Sequence, residues 1–95
     1  MTIKIGFNEY EIVEKEEDYK QEGASHGYFD PIAKKIVIHT NSPGLDKDVT
    51  LLHEILHAIF YETKHNDINE ELIETISYWL INIGRRNPKI QKRPS

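Results

Sequence analysis

The pattern of polar and apolar positions changes period once along the chain. In TIKIGF and NEYEIVEK, residues 2–15, the two kinds alternate. That predicts two short strands, or one strand bent at Gly6. The charged stretch EEDYKQEGASHG reads as a loop, or as a short helix ending in a turn. GYFDPIAKKIVIHT reads as a hairpin, with Tyr28 and Phe29 on one arm, Asp30-Pro31 at or near the turn and KKIVIH on the other arm. TNSPGLDKD is a loop whose strongest break is Pro43-Gly44. From about Asp46 the period becomes helical. DKDVTLLHEILHAIFYET carries acids in its first turn and apolar residues at 49, 52, 56 and 59. KHND breaks this helix, and INEELIETISYWLINIG predicts a second one, with apolar positions 72, 73, 76, 79, 80 and 83 and Asn87-Pro88 beyond its end. A link of roughly five residues makes the two helices antiparallel neighbours. Strands first and helices after define an α+β fold: a small antiparallel sheet packed on an antiparallel pair of helices.

Composition narrows the function classes. The chain has 95 residues, 38% of them hydrophobic, which suits one small domain and no membrane span. We place the domain at residues 1–88, with 89–95 as a basic, disordered tail. MTIKIGFNEY has no basic region followed by an apolar one, so no leader is expected. The absence of cysteine removes disulfides, thiolate ligands and cysteine nucleophiles, and fits a cytoplasmic protein. The net charge of −4 conceals an asymmetry. Residues 1–84 hold all 16 acidic side chains, whereas RRNPKIQKRPS, residues 85–95, holds five basic ones and no acid. Cations at a helix C-terminus complement its dipole. With an acidic body ahead of them, they make nucleic acid an unfavoured partner.

The chemistry lies in LLHEILHAIF, residues 51–60. Residues four apart share a helix face, so His53 and His57 can point at one atom, with Glu54 about 100° round from His53. This is a His-Glu-x-x-His pattern, and two neutral imidazoles at that spacing supply half of a tetrahedral zinc site. The apolar flanks bury this helix. Without partners, its buried polar groups would cost on the order of 1–3 kcal/mol each. The simpler alternative sends His53 and His57 to sheet backbone and Glu54 to the surface. A zinc site needs a third protein ligand, and cysteine is absent. The class with a third His six residues after the second is excluded, because Thr63 stands there. Antiparallel packing brings residues 70–77 level with the histidines. Glu70 shares a stripe with Ile73 and Ser77, Glu71 lies on a wetter face, and Glu74 lies between them. We favour Glu70. Glu71, Glu74, His65 and Asp67 remain alternatives, and a capping box from Asp67 to Glu70 would occupy Glu70 differently.

With these residues in view, the chain resembles the zincin metallopeptidases. It is most similar to minimal ImmA/IrrE-like or phage-type members. The resemblance spans roughly residues 27–88 and rests on GYFD…KKIVIH, LLHEILHAIF and EELIETISYWL ending in NP. It implies a zincin-like domain holding Zn²⁺ through His53, His57 and Glu70. It implies that Glu54 acts as general base toward a water on the metal and returns the proton to the leaving amine. The expected function is zinc-dependent hydrolysis of peptide bonds in a protein substrate, a transcriptional regulator by the family resemblance. The alternative is an inert zinc-binding protein that uses the scaffold for protein–protein interaction. Tyr61, His65 and Tyr78 are near enough in sequence to assist an oxyanion but read as packing or surface residues. His39 reads as a strand-end surface residue. An edge strand beside the metal would suit an extended polypeptide.

Overall fold

Alternation in the first fifteen residues produces a hairpin: β1 (Thr2–Ile5) pairs antiparallel with β2 (Asn8–Lys15). Gly6 turns the chain between them at φ +62°, a region that a side chain disfavours. The computed structural model describes residues 1–16, 26–65 and 67–91. Most of the stretch EEDYKQEGASHG therefore lies outside the described residues. β3 (Gly27–Asp30) and β4 (Lys35–His39) form the second hairpin. Asp30 Oδ1 accepts from the Ile32 and Ala33 amides at 3.0 Å each and so shapes the turn.

The sheet order is β1-β2-β4-β3, and β2 runs parallel to β4. This corrects the expectation of a purely antiparallel sheet: the sheet is mixed. Burial supplies the reason. Ile36, Val37, Ile38 and His39 are all buried, so β4 presents both faces to the interior and takes a central place. β3 carries Gly27 and the half-exposed Tyr28, and occupies the edge.

Two long helices follow. α1 (Lys47–Glu62) starts at Asp46, whose side chain accepts from the Val49 amide. α2 (Glu70–Arg86) starts at Asn69, which accepts from the Glu71 amide at 2.7 Å and the Leu72 amide at 3.3 Å. A short helical turn, α3 (Pro88–Gln91), follows at Pro88, a residue suited to a first helical position. It takes up the start of the segment expected as a basic tail, and residues 92–95 lie outside the described residues. α1 packs on β3 and β4 and against α2. Tyr10, Ile36, Ile38, Val49, Ala58 and Ile73 are buried between these layers. The helices run antiparallel: Arg85, at the end of α2, reaches Asp46 at 2.9 Å and Asp48 at 3.2 Å, at the start of α1. At the other end of α1, Glu62 accepts from Asn8 at 2.6 Å and from the Tyr10 hydroxyl, tying the helix to the first hairpin. Among the described residues, no helix is long and apolar enough to cross a membrane.

Candidate metal centre

α1 crosses the sheet so that His53 and Glu54 are buried while His57, one turn on, is half-buried. Because α2 returns antiparallel, its first residue arrives beside both imidazoles. His53 Nε2 and His57 Nε2 are 3.1 Å apart. The Glu70 carboxylate spans them, with Oε1 2.5 Å from His53 Nε2 and Oε2 2.9 Å from His57 Nε2. Glu70 is free to do this because Asn69, not Asp67, caps α2, which leaves Glu70 at the first helical position and outside any capping box. Of the alternatives weighed from the sequence, Glu71 is exposed on another face and His65 turns to the Thr63 hydroxyl at 2.9 Å. Asp67 is exposed. Glu74 approaches the other side of the first imidazole, with Oε2 2.6 Å from His53 Nδ1.

These contacts fit a metal ion. His53, His57 and Glu70 form a group that could hold one. Carboxylates flank both ring nitrogens of His53, Glu74 at Nδ1 and Glu70 at Nε2, and a carboxylate can only accept; with a cation at Nε2, Glu74 would hold the ring's proton on Nδ1. Two ligands at zinc's usual bond lengths stand about 3.3 Å apart across a tetrahedral angle, near the observed separation of the two nitrogens. Two neutral nitrogens and one carboxylate oxygen also match the donor preference of zinc.

Glu54 stands apart from this cluster. It is 6% exposed and lines the same cleft, and its carboxylate makes no hydrogen bond among the described residues. Burial pushes its pKa up, the neighbouring His53 and His57 pull it down, and Glu70 and Glu74 push it up again, with a net rise. Glu70 goes the other way. Its partial burial alone would raise the carboxyl, but hydrogen bonds from His57 and His53 outweigh that and hold it below its ordinary value. Two neighbouring carboxyl groups are thus driven in opposite directions, one toward holding a cation and one toward holding a proton.

The cleft has a volume of about 510 Å³ and is walled by β3, α1 and the start of α2. Gly27 is required where β3 meets α1. A Cβ there would stand 2.4 Å from the Val37 carbonyl oxygen and 3.2 Å from Thr50 Cγ2. His26, just before β3, lines the cleft and bonds the Ser42 hydroxyl through Nδ1. Sequence reasoning missed it because it falls in a stretch read as a turn. None of the three side chains considered for oxyanion assistance lines the cleft. Tyr61 stacks edge-on against Phe29, and Tyr78 does so against Trp79. His39 is buried rather than at the surface, because Tyr28 covers its ring at a centroid distance of 5.8 Å. Comparisons with family models, with curated proteins and with solved structures find no match to this chain.

Proposed function

We propose that the protein is a zinc metallopeptidase that hydrolyses an extended segment of a polypeptide. The observation that carries this reading is the placement of a buried Glu54, its pKa raised by that burial, in the same cleft as the converging His53, His57 and Glu70. Zinc held by His53, His57 and Glu70 would supply Lewis-acid polarisation of a carbonyl and would lower the pKa of a nearby water. Glu54 takes a proton from the attacking water and passes it to the departing amine. Its raised pKa suits the first transfer, since burial makes the carboxylate a stronger base toward the water, and the acid so formed can give the proton back. Glu74 holds the His53 ring in one orientation and one tautomer.

The substrate class follows from the wall of the cleft. β3 is an edge strand, and the His39 amide donates to the His26 carbonyl, which sets the alternation of its pairing with β4. By that alternation the Phe29 amide and carbonyl point away from β4, where an extended peptide can add as a further strand. The test pairs metal content with cleavage of casein, an unfolded polypeptide. Wild type should retain about one zinc per chain and cleave, whereas Glu54→Gln should keep the zinc and lose at least about a hundredfold in rate. Equal cleavage by both would refute Glu54 as the base. Zinc retention with no cleavage by wild type would favour the inert, partner-binding alternative.

A further inference from the structure

α2 turns two faces in different directions. Ile73 and Ser77 are buried, and Glu70 and Glu74 point to the histidines of α1. Well round the helix lies a second apolar stripe: Leu72, Ile76, Trp79 and Ile83. Leu72, Trp79 and Ile83 are 49%, 56% and 45% exposed, and Ile76 between them is half-buried. Four large side chains in a line at helical spacing form a contiguous patch, unlike the scattered single apolar residues of an ordinary surface.

The spacing of this stripe carries information about what covers it. Its steps are four, three and four residues, so it reads the same from either end. Laid antiparallel on a copy of itself, Leu72 meets Ile83 and Ile76 meets Trp79 across a two-fold axis. At 100° per residue, Glu71 and Arg86 fall on the same flank of the stripe, at opposite ends. In that pairing Glu71 of each chain lies within two residues' rise, about 3 Å, of the level of Arg86 on the other. Both long side chains reach across such an offset. Neither makes an ion pair or side-chain hydrogen bond among the described residues, whereas the adjacent Arg85 is committed to Asp46 and Asp48. We propose that the outer face of α2 is the interface of a two-fold homodimer, in which two copies of α2 pack antiparallel through Leu72, Ile76, Trp79 and Ile83 and are held in register by reciprocal Glu71–Arg86 pairs. A two-fold interface uses the same patch on both subunits and must be self-complementary, and this stripe is so in both its apolar steps and its charges.

A single helix pair makes a small interface, so association belongs in the micromolar range. Sedimentation equilibrium of the full chain over that range should show a mass rising from 11.1 kDa toward twice that value. Trp79 is the sole tryptophan, and its emission should shift to the blue over the same range. Trp79→Glu should remain at the monomer mass. Glu71→Arg and Arg86→Glu each turn two attractions into two repulsions and should weaken association by about tenfold or more. Mixed in equal amounts, those two variants should recover the wild-type mass. In the mixed dimer the introduced arginine faces the introduced glutamate, and the retained Arg86 of one chain faces the retained Glu71 of the other. Both replaced side chains are exposed, and far-UV circular dichroism checks that the variants fold. A wild type that stays at 11.1 kDa at every concentration overturns the proposal. So does a mixture that associates no better than either variant alone. Neither readout depends on the metal or on peptide cleavage.

Discussion

Replacing Glu74 by alanine tests how the candidate centre is supported. Glu74 Oε2 stands 2.6 Å from His53 Nδ1, so the change removes the side chain that would hold a proton on that nitrogen when Nε2 faces a cation. A hydrogen bond between a charged and a neutral group contributes roughly 1.5–3 kcal/mol when sheltered. Here the carboxylate side is 61% exposed, and water can replace it in part, which places the net effect at the lower end. Loss of such an outer partner weakens metal binding by about 10–100-fold in general, and about tenfold, or ~1.4 kcal/mol, is expected at this site. Zinc affinity is measured by competition with a chromophoric chelator. Glu71→Ala, one residue from Glu70 on the exposed face, should match wild type, and Glu70→Ala should lose far more than Glu74→Ala. An affinity within twofold of wild type for Glu74→Ala would refute the orienting role. A loss as large as that of Glu70→Ala would instead make Glu74 the third ligand.

Three further outcomes follow from the fold. Gly27→Ala forces a methyl against the Val37 carbonyl, with Thr50 close behind, and should cost about 1–3 kcal/mol in urea unfolding while loosening β3 from α1. Asp46→Ala removes the cap of α1 and should cost about 1 kcal/mol near neutral pH. The hydrogen bond from Arg85, aided by the Val49 amide, holds the Asp46 carboxyl below its ordinary value. The stability it adds is therefore present above the ordinary carboxylate range and lost as pH falls through the lowered pKa. Wild type and variant should converge in melting temperature in strong acid. Tyr10 moves oppositely: burial first, then the hydrogen bond to Glu62, pushes its hydroxyl up to about 12. Its contribution is complete below the unfolded value of about 10 and is lost as pH rises through about 12. Tyr10→Phe should flatten alkaline unfolding over that window, followed by circular dichroism.

The parts of this molecule that were legible in its sequence are the local ones. Four-residue spacing alone puts His53 and His57 on one face. A short link returns α2 at the level of those histidines, and the stripe with Ile73 and Ser77 selects Glu70. Strand partnership is non-local and was not legible. The alternation within NEYEIVEK does not say whether β3 or β4 will pair with it. The clue was the unbroken apolar run in KIVIH, the mark of a strand covered on both faces. The same covering explains His39, whose strand-end position predicts exposure but whose ring packs under Tyr28. His26 had no periodic signal at all, since a residue just ahead of an edge strand belongs to no repeating pattern.

The arrangement of the candidate site also bears on the order in which the chain assembles. His53, Glu54, His57, Glu70 and Glu74 all fall within one helical hairpin, joined by the short link 63–69. The parallel pairing of β2 with β4 must instead close a wide loop, across which Lys15 meets His39. Loop-closure entropy favours the compact hairpin over the distant strand pair. The three side chains that could hold an ion thus belong to a segment that closes locally, and an ion bound there would narrow the search left to the sheet. Stopped-flow refolding should accordingly quicken with added zinc in wild type and lose that response in Glu70→Ala. A rate indifferent to zinc would place closure of the hairpin after that of the sheet.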